Sequence, residues 1–480
     1  MIELDINGPP GSSGKVNLQI VDVCSRLSQQ LPAVLVDLIE IAAYVYCADQ
    51  YVTRGTERMS RMGADWRRDF IFHVPVRCRD TWQSEAVLSP LVDVLRFLSE
   101  DEYHFEFDEF VNPRDVGNYF DFAEGRRGFQ ADEIMLFSGG LDSFAGAVEE
   151  IIGHGKHVAL VSHESSSFVK SKQATLVDAL RRSERGRLLH VPVAVNKNHE
   201  EGREYTQRSR SFLFASLAFA VATMFGRKRV RFYENGIVSL NLPIVEHVVG
   251  ARATRTTHPQ VLAGFGRLFS ALSGGPIIIE NPYFWKTKQE VIEVIARHGC
   301  EHLIAETFSC AKVREATQTQ KHCGVCSQCI DRRFGILAAG IDAHEPAANY
   351  AVDLLADERQ PGHEVVMAEG YVMSAMRIAR MSEFAFYAAN GQSFRALRHL
   401  PGSPDDNARA IYELHRRHAK AVVRVIERGV ADLASRLTDQ SLPETCLASL
   451  IVAPVARPPS NPEADEAEVR PLAYPVQSPG

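Results

Sequence analysis

An apolar run, Ile134-Met135-Leu136-Phe137, ends in Ser138-Gly139-Gly140-Leu141-Asp142-Ser143 and gives way at once to an alanine-rich helical pattern. A strand that feeds a helix through two glycines leaves backbone N–H groups converging at a helix N-terminus. That geometry holds anionic oxygens, and the helix dipole reinforces it. Gly139 and Gly140 let the backbone approach a ligand with no Cβ in the way. Ser138 and Ser143 add hydroxyl donors, and Asp142 can orient Mg²⁺ or cap the helix. An ordinary glycine turn would explain a bare Ser-Gly-Gly. The full pattern arises by chance in a chain of this length on the order of once in a thousand. It has neither the lysine of a Walker loop nor the spacing of a dinucleotide fingerprint.

The surrounding pattern is strand, helix, strand. Residues 133–137, 157–162, 187–195 and 228–236 read as short strands, and 171–182, 209–226 and 286–299 as helices. Gly299 is a helix stop. The alternation predicts an α/β fold over 131–340, a parallel sheet with helices on both faces. Residues 1–130 read as an N-terminal α+β domain, with helices over 31–52 and 82–100 and strands over 67–78 and 103–110, and a turn-rich linker over 112–130. Residues 341–452 read as a helical C-terminal region, in which Ile411, Leu414, Val422, Val425 and Leu433 share one face. The proline-rich residues 453–480 read as a disordered tail.

Nine cysteines occur in a chain of 480 residues, and four of them cluster as Cys310, Cys323, Cys326 and Cys329. Thiolates three apart on a tight turn, joined by one from a distant loop, can surround a tetrahedral ion. Four sulfurs with no open position suit structural Zn²⁺, and an iron–sulfur cluster uses similar ligands. His322 is expected nearby and uncoordinated.

The Ser-Gly-Gly-x-Asp-Ser pattern is the signature of the PP-loop ATP pyrophosphatases, which this segment resembles. Together with the cysteine set and its trailing arginine, it resembles 7-cyano-7-deazaguanine synthase. That resemblance implies an adenine-nucleotide α-hydrolase-like sheet with a zinc-binding loop. It also implies ATP bound by Ser138, Gly139, Gly140, Leu141, Asp142 and Ser143, with Mg²⁺. A carboxyl group of a 7-carboxy-7-deazaguanine-like molecule would be activated as an AMP ester and displaced by an amine. The segment over 208–220 resembles the family's arginine-led helix, with Arg208 at the arginine position. Residues 287–292 resemble its Thr-Lys-x-Glu helix start, giving Thr287 and Lys288. The implied catalytic set is Asp142, Ser143, Arg208 and Lys288. The family's substrate segments are replaced here by residues 162–170, 234–243 and 257–260. His163, Glu234 and Asn235 are candidates by their place at strand ends.

The layout, with long extensions on both sides of this segment, resembles the synthase-like component of anti-phage defence operons. It implies a co-encoded partner protein, and the acceptor amine is either ammonia or an amine of such a partner. The net charge of −7 gives no nucleic-acid footprint. No apolar run reaches the roughly 18 residues a membrane span needs. The start lacks a signal peptide's basic and apolar regions, and unpaired cysteines suit a reducing cytoplasm. Two other classes stay open: a PP-loop tRNA-modifying enzyme, and a non-catalytic ATP-binding scaffold.

Overall fold

The computed structural model describes residues 4, 16–21, 31–53, 67–110, 120–121, 129–197, 208–243, 254–312, 317 and 320–452. The tail expected over 453–480 lies outside the described residues, as does most of the linker expected over 112–130.

The described strands are β1 (Val16–Val21), β2 (Asp69–Val76), β3 (Glu102–Glu109), β4 (Phe120–Asp121), β5 (Glu133–Leu136), β6 (Val158–His163), β7 (Leu188–Lys197), β8 (Arg229–Arg231) and β9 (Ile278–Glu280). Seven of them form one sheet in the order β4-β1-β7-β6-β5-β8-β9. The central five, from β7 to β9, run parallel. β1 joins the β7 edge antiparallel, with Val16 opposite Lys197, and β4 pairs parallel with β1. The expected parallel sheet is therefore present, and β1, from the first twenty-odd residues, extends it with β4 at the edge. No strand was expected there, although the glycine- and proline-rich residues 8–14 ahead of Val16 are a turn signal.

Successive residues of the central strands serve two cores. Ile134 and Leu136 of β5 point into one, with Ala159, Val161, Val191 and Val193. Met135 and Phe137 point into the other, with Val158 and Leu160. Both faces are covered, as a buried parallel sheet requires. The helices Ala33–Tyr51, Glu85–Ser99, Arg210–Met224 and Pro259–Ser273 cover the first face. The helices Leu141–Val148, Ser167–Ser183 and Lys288–Arg297 cover the second.

Elements ahead of Ala131 thus share the sheet's core. Within that region β2 and β3 pair parallel, Asp69 opposite Glu102 through Val76 opposite Glu109, with the helix Glu85–Ser99 as the crossover. The described residues from 342 to 452 are helical, as the sequence predicts for 341–452. The helix Pro404–Asp432 buries Ile411, Leu414, Val422 and Val425. A third core joins Val422 and Val425 to Val372 of the helix His363–Arg380 and to Ile330 and Phe334 of the helix Ser327–Ala339.

Sheet order fixes where a ligand fits. From β5 the chain builds outward through β6 and β7, then crosses to β8 and β9 on the other side. The break in winding lies between β5 and β8, and the crevice beyond the carboxyl ends of such a pair is where open α/β sheets bind ligands.

Candidate nucleotide site and metal centre

The loop Ser138–Ser143 leaves the carboxyl end of β5 at that break. Gly139 has φ of +78°, and a Cβ there would stand 3.0 Å from Cγ of Gln173, so position 139 calls for glycine on two counts. Gly140 is the N-cap of the helix Leu141–Val148, and its N–H donates to Oγ of Ser138 at 3.2 Å. The Ser138 and Ser143 hydroxyls meet at 3.1 Å, and Ser143 also donates to the Gly140 carbonyl at 3.0 Å. Gln173 supports the loop from the side, its amide donating to the Ser138 carbonyl at 3.2 Å.

Asp142 points into the crevice and gathers groups from remote elements. One carboxylate oxygen accepts from the N–H and side-chain amide of Asn235, at 3.0 and 2.9 Å, at the end of the segment that follows β8. The other accepts from Nζ of Lys288 at 2.8 Å. Lys288 opens the helix Lys288–Arg297, whose N-cap Thr287 forms a capping box with Glu290. Asp331, from the helix Ser327–Ala339, lies 3.4 Å from the same ammonium. All three charged groups are buried. Burial by itself would push the Lys288 pKa down, but Asp142 and Asp331 outweigh it and hold the ammonium above its usual range.

Glu234 lies beside Asn235. Its carboxylate accepts from the Thr257 hydroxyl, whose oxygen also meets Ser239 at 2.8 Å. Burial raises Glu234 to about 7, the Asp142 charge adds to the rise, and the Thr257 hydrogen bond works against it. The structure therefore brings Asp142, Lys288, Asn235 and Glu234 to one crevice. His163 stands elsewhere: its Nε2–H donates to the Val195 carbonyl at 3.0 Å, and its ring packs between Tyr46 and Phe214. Burial pushes it down to about 4, so it is a neutral packing histidine. Arg208 is half-buried ahead of the helix Arg210–Met224. Its neighbour Ser209 donates to Asp49 through both N–H and hydroxyl at 2.9 Å.

Sγ atoms of Cys310, Cys323, Cys326 and Cys329 all lie within 4.8 Å of one another. Cys323 and Cys329 are 3.8 Å apart. A tetrahedral ion with Zn–S bonds near 2.3 Å sets its sulfurs about 3.8 Å apart. The cluster could thus hold one such ion, whereas a cubane cluster would spread its thiolates wider. His322 is not among the clustered ligands; its ring stacks on Phe308.

Two contacts strap this centre to the nucleotide loop. Phe308 N–H donates to the Gly139 carbonyl at 2.9 Å. The Ser309 hydroxyl accepts from Arg332 at 3.2 Å and lies 3.5 Å from the Leu141 N–H. Arg332 is itself fully buried against Glu345, which also accepts from Tyr350. Sequence reasoning missed Asp331, Ser309, Arg332 and Gln173 as parts of the site. Asp331 stands two places after Cys329, and a charged residue trailing a cysteine set carries no signal that it faces a lysine.

Together these features define an α/β protein with a glycine-rich loop at its sheet break and a four-thiol centre hydrogen-bonded to that loop. Residues 256–340 match the family described as queuosine biosynthesis protein QueC. The match supports a QueC-like, ATP-using character for that stretch, which contains Lys288, Asp331 and all four cysteines and lies downstream of the glycine loop. No curated protein matches the chain. Among the described residues, no helix is long and apolar enough to cross a membrane.

Proposed function

We propose that this chain is an ATP-dependent ligase of the 7-cyano-7-deazaguanine synthase type, which activates a 7-deazaguanine carboxylate and passes the acyl group to an amine. The observation that carries the reading is the convergence of Asp142 and Lys288 beneath the Ser138–Ser143 loop, at the break in a parallel sheet.

ATP supplies the adenylyl group: a carboxylate oxygen bonds to the α-phosphorus, and pyrophosphate leaves. The loop N–H groups and the Ser138 and Ser143 hydroxyls would bind the phosphate oxygens. Lys288 would neutralise charge that builds on them, and Asp142 would hold Mg²⁺. The amine then attacks the acyl carbon, AMP departs, and the amine's proton passes to a base. Glu234, at about 7, is suited to accept it near neutral pH. The four thiols would hold structural Zn²⁺ and keep the loop's strap in place.

The acceptor we propose is an amine of a co-encoded protein in an anti-phage defence system. An amide made with ammonia can lose water to become a nitrile, whereas one made with a protein amine is secondary and cannot follow that route. The long regions that flank the QueC-like stretch offer surface for such a partner. The test is mass spectrometry with ATP, 7-carboxy-7-deazaguanine and ammonium, with and without the partner. AMP release with the deazaguanine mass on the partner supports the full proposal. Free nitrile keeps the activation chemistry and removes the protein acceptor. No AMP under any condition overturns both.

A further inference from the structure

The C-terminal helices reach the site at several points, Arg417 on Glu290 among them, and one contact bears on its buried lysine. The Asp331 carboxylate has two oxygens. One lies 3.4 Å from Nζ of Lys288, and the other accepts from the Tyr371 hydroxyl at 2.9 Å. Tyr371 belongs to the helix His363–Arg380. Behind it stands His418 of the helix Pro404–Asp432, its Nε2 3.2 Å from the same hydroxyl.

The protons in this row can be assigned. An ionised carboxylate only accepts, so the single Tyr371 proton goes to Asp331. His418 must then donate from Nε2 to the phenol oxygen. The order of donation is His418 to Tyr371 to Asp331, and the row ends on the carboxylate that faces the lysine. Tyr371 stacks on Phe334 with ring centroids 5.4 Å apart, which fixes the phenol's direction.

We propose that Tyr371, backed by His418, is a positioning residue for Lys288: it occupies one oxygen of Asp331, so that Asp331 steadies the ammonium without clamping it. The inference rests on the ATP-site reading above. Lys288 is shared between two carboxylates, and binding a polyphosphate requires it to turn partly away from them. With the Tyr371 hydroxyl in place, Asp331 offers the lysine one oxygen at 3.4 Å. Without it, the second oxygen is buried and unsatisfied. The carboxylate then turns and takes the lysine with both oxygens, in competition with the phosphates. Both supporting residues come from helices outside the QueC-like stretch, so the flanking region acts on the proposed nucleotide site through Asp331.

The test uses the full-length chain and reads ATP affinity by calorimetry beside AMP formation. Tyr371→Phe keeps the ring and its packing and removes only the hydroxyl. It is expected to weaken ATP about tenfold, the loss of one hydrogen bond to a charged group. The KM for the deazaguanine acid should stay unchanged. His418→Gln, whose amide nitrogen stands where Nε2 does, should retain affinity, and His418→Leu should lose it. Adding Tyr371→Phe to Asp331→Asn should cost nothing further, because the hydroxyl acts through the carboxylate. Equal ATP affinity in Tyr371→Phe and the parent, or additive losses in the double variant, overturns the inference. Tight ATP binding without turnover would defeat the proposed reaction and leave the positioning role intact. Absence of ATP binding in the parent would defeat both.

Discussion

At the scale of single residues, the site depends on where charge and backbone are forced. Asp142→Asn keeps the shape of the side chain but leaves Lys288 with one carboxylate and removes the proposed Mg²⁺ ligand. AMP formation should fall by at least about a hundredfold, as measured by nucleotide chromatography. Gly139→Ala places a Cβ 3.0 Å from Gln173 at a positive φ. It should destabilise the fold by about 1–2 kcal/mol in denaturant unfolding and weaken ATP binding as well. Glu234 gives the pH dependence. A base at about 7 is mostly protonated below that value and ionised above it, so the amine-transfer rate should climb between about pH 6 and about pH 8. The Thr257 hydrogen bond lowers that pKa. Thr257→Val should therefore move the midpoint of the pH–rate curve upward, and a midpoint that stays put or falls would count against Glu234 as the base.

Among elements, what could be read beforehand was what repeats locally. The strand–glycine–helix junction at 138–143 and the spacing of four cysteines are short patterns, and each appears where the sequence put it. Elements built on weak local pattern escaped. β9 spans three residues, and the helix Pro259–Ser273, interrupted by Gly264 and Gly266, gives a broken periodicity. Contacts between remote elements escaped altogether. Lys288 reads as the start of a helix, which it is, and nothing in its neighbours announces Asp331 or Tyr371. The strap between the cysteine loop and Gly139 is of the same kind, a backbone hydrogen bond with no side-chain signature. It couples two sites. Metal analysis should find one zinc per chain. Removing it should forfeit a large part of the roughly 10–16 kcal/mol such a site supplies, seen as a lower melting temperature. ATP affinity should fall in parallel, because Phe308 and Ser309 no longer hold the loop. Visible absorption from iron, or ATP binding untouched by the chelator, would contradict this picture.

At the scale of the whole molecule, the regions on either side of the QueC-like stretch are packed into it. Val16 and the helix Ala33–Tyr51 lie in the same core as β5 and β6, and Ile330 and Phe334 are buried by the C-terminal helices. Ending the chain at residue 340 should expose that second face. The product is expected to bind hydrophobic dye and to unfold without a cooperative transition, while the full chain shows one. A truncated chain that melts cooperatively would mean the helices are dispensable to the fold. The crevice at the sheet break also draws on Asp142, Asn235, Lys288, Asp331, Tyr371 and His418, which stand far apart in the chain and follow one another in sequence order. A ribosome makes them in that order. The glycine loop emerges early, but its lysine, the aspartate opposite and the tyrosine and histidine behind arrive only as synthesis nears its end. A half-made chain therefore carries an unfinished crevice, and the complete hydrogen-bonded row exists only once the helix Pro404–Asp432 has left the ribosome and folded back.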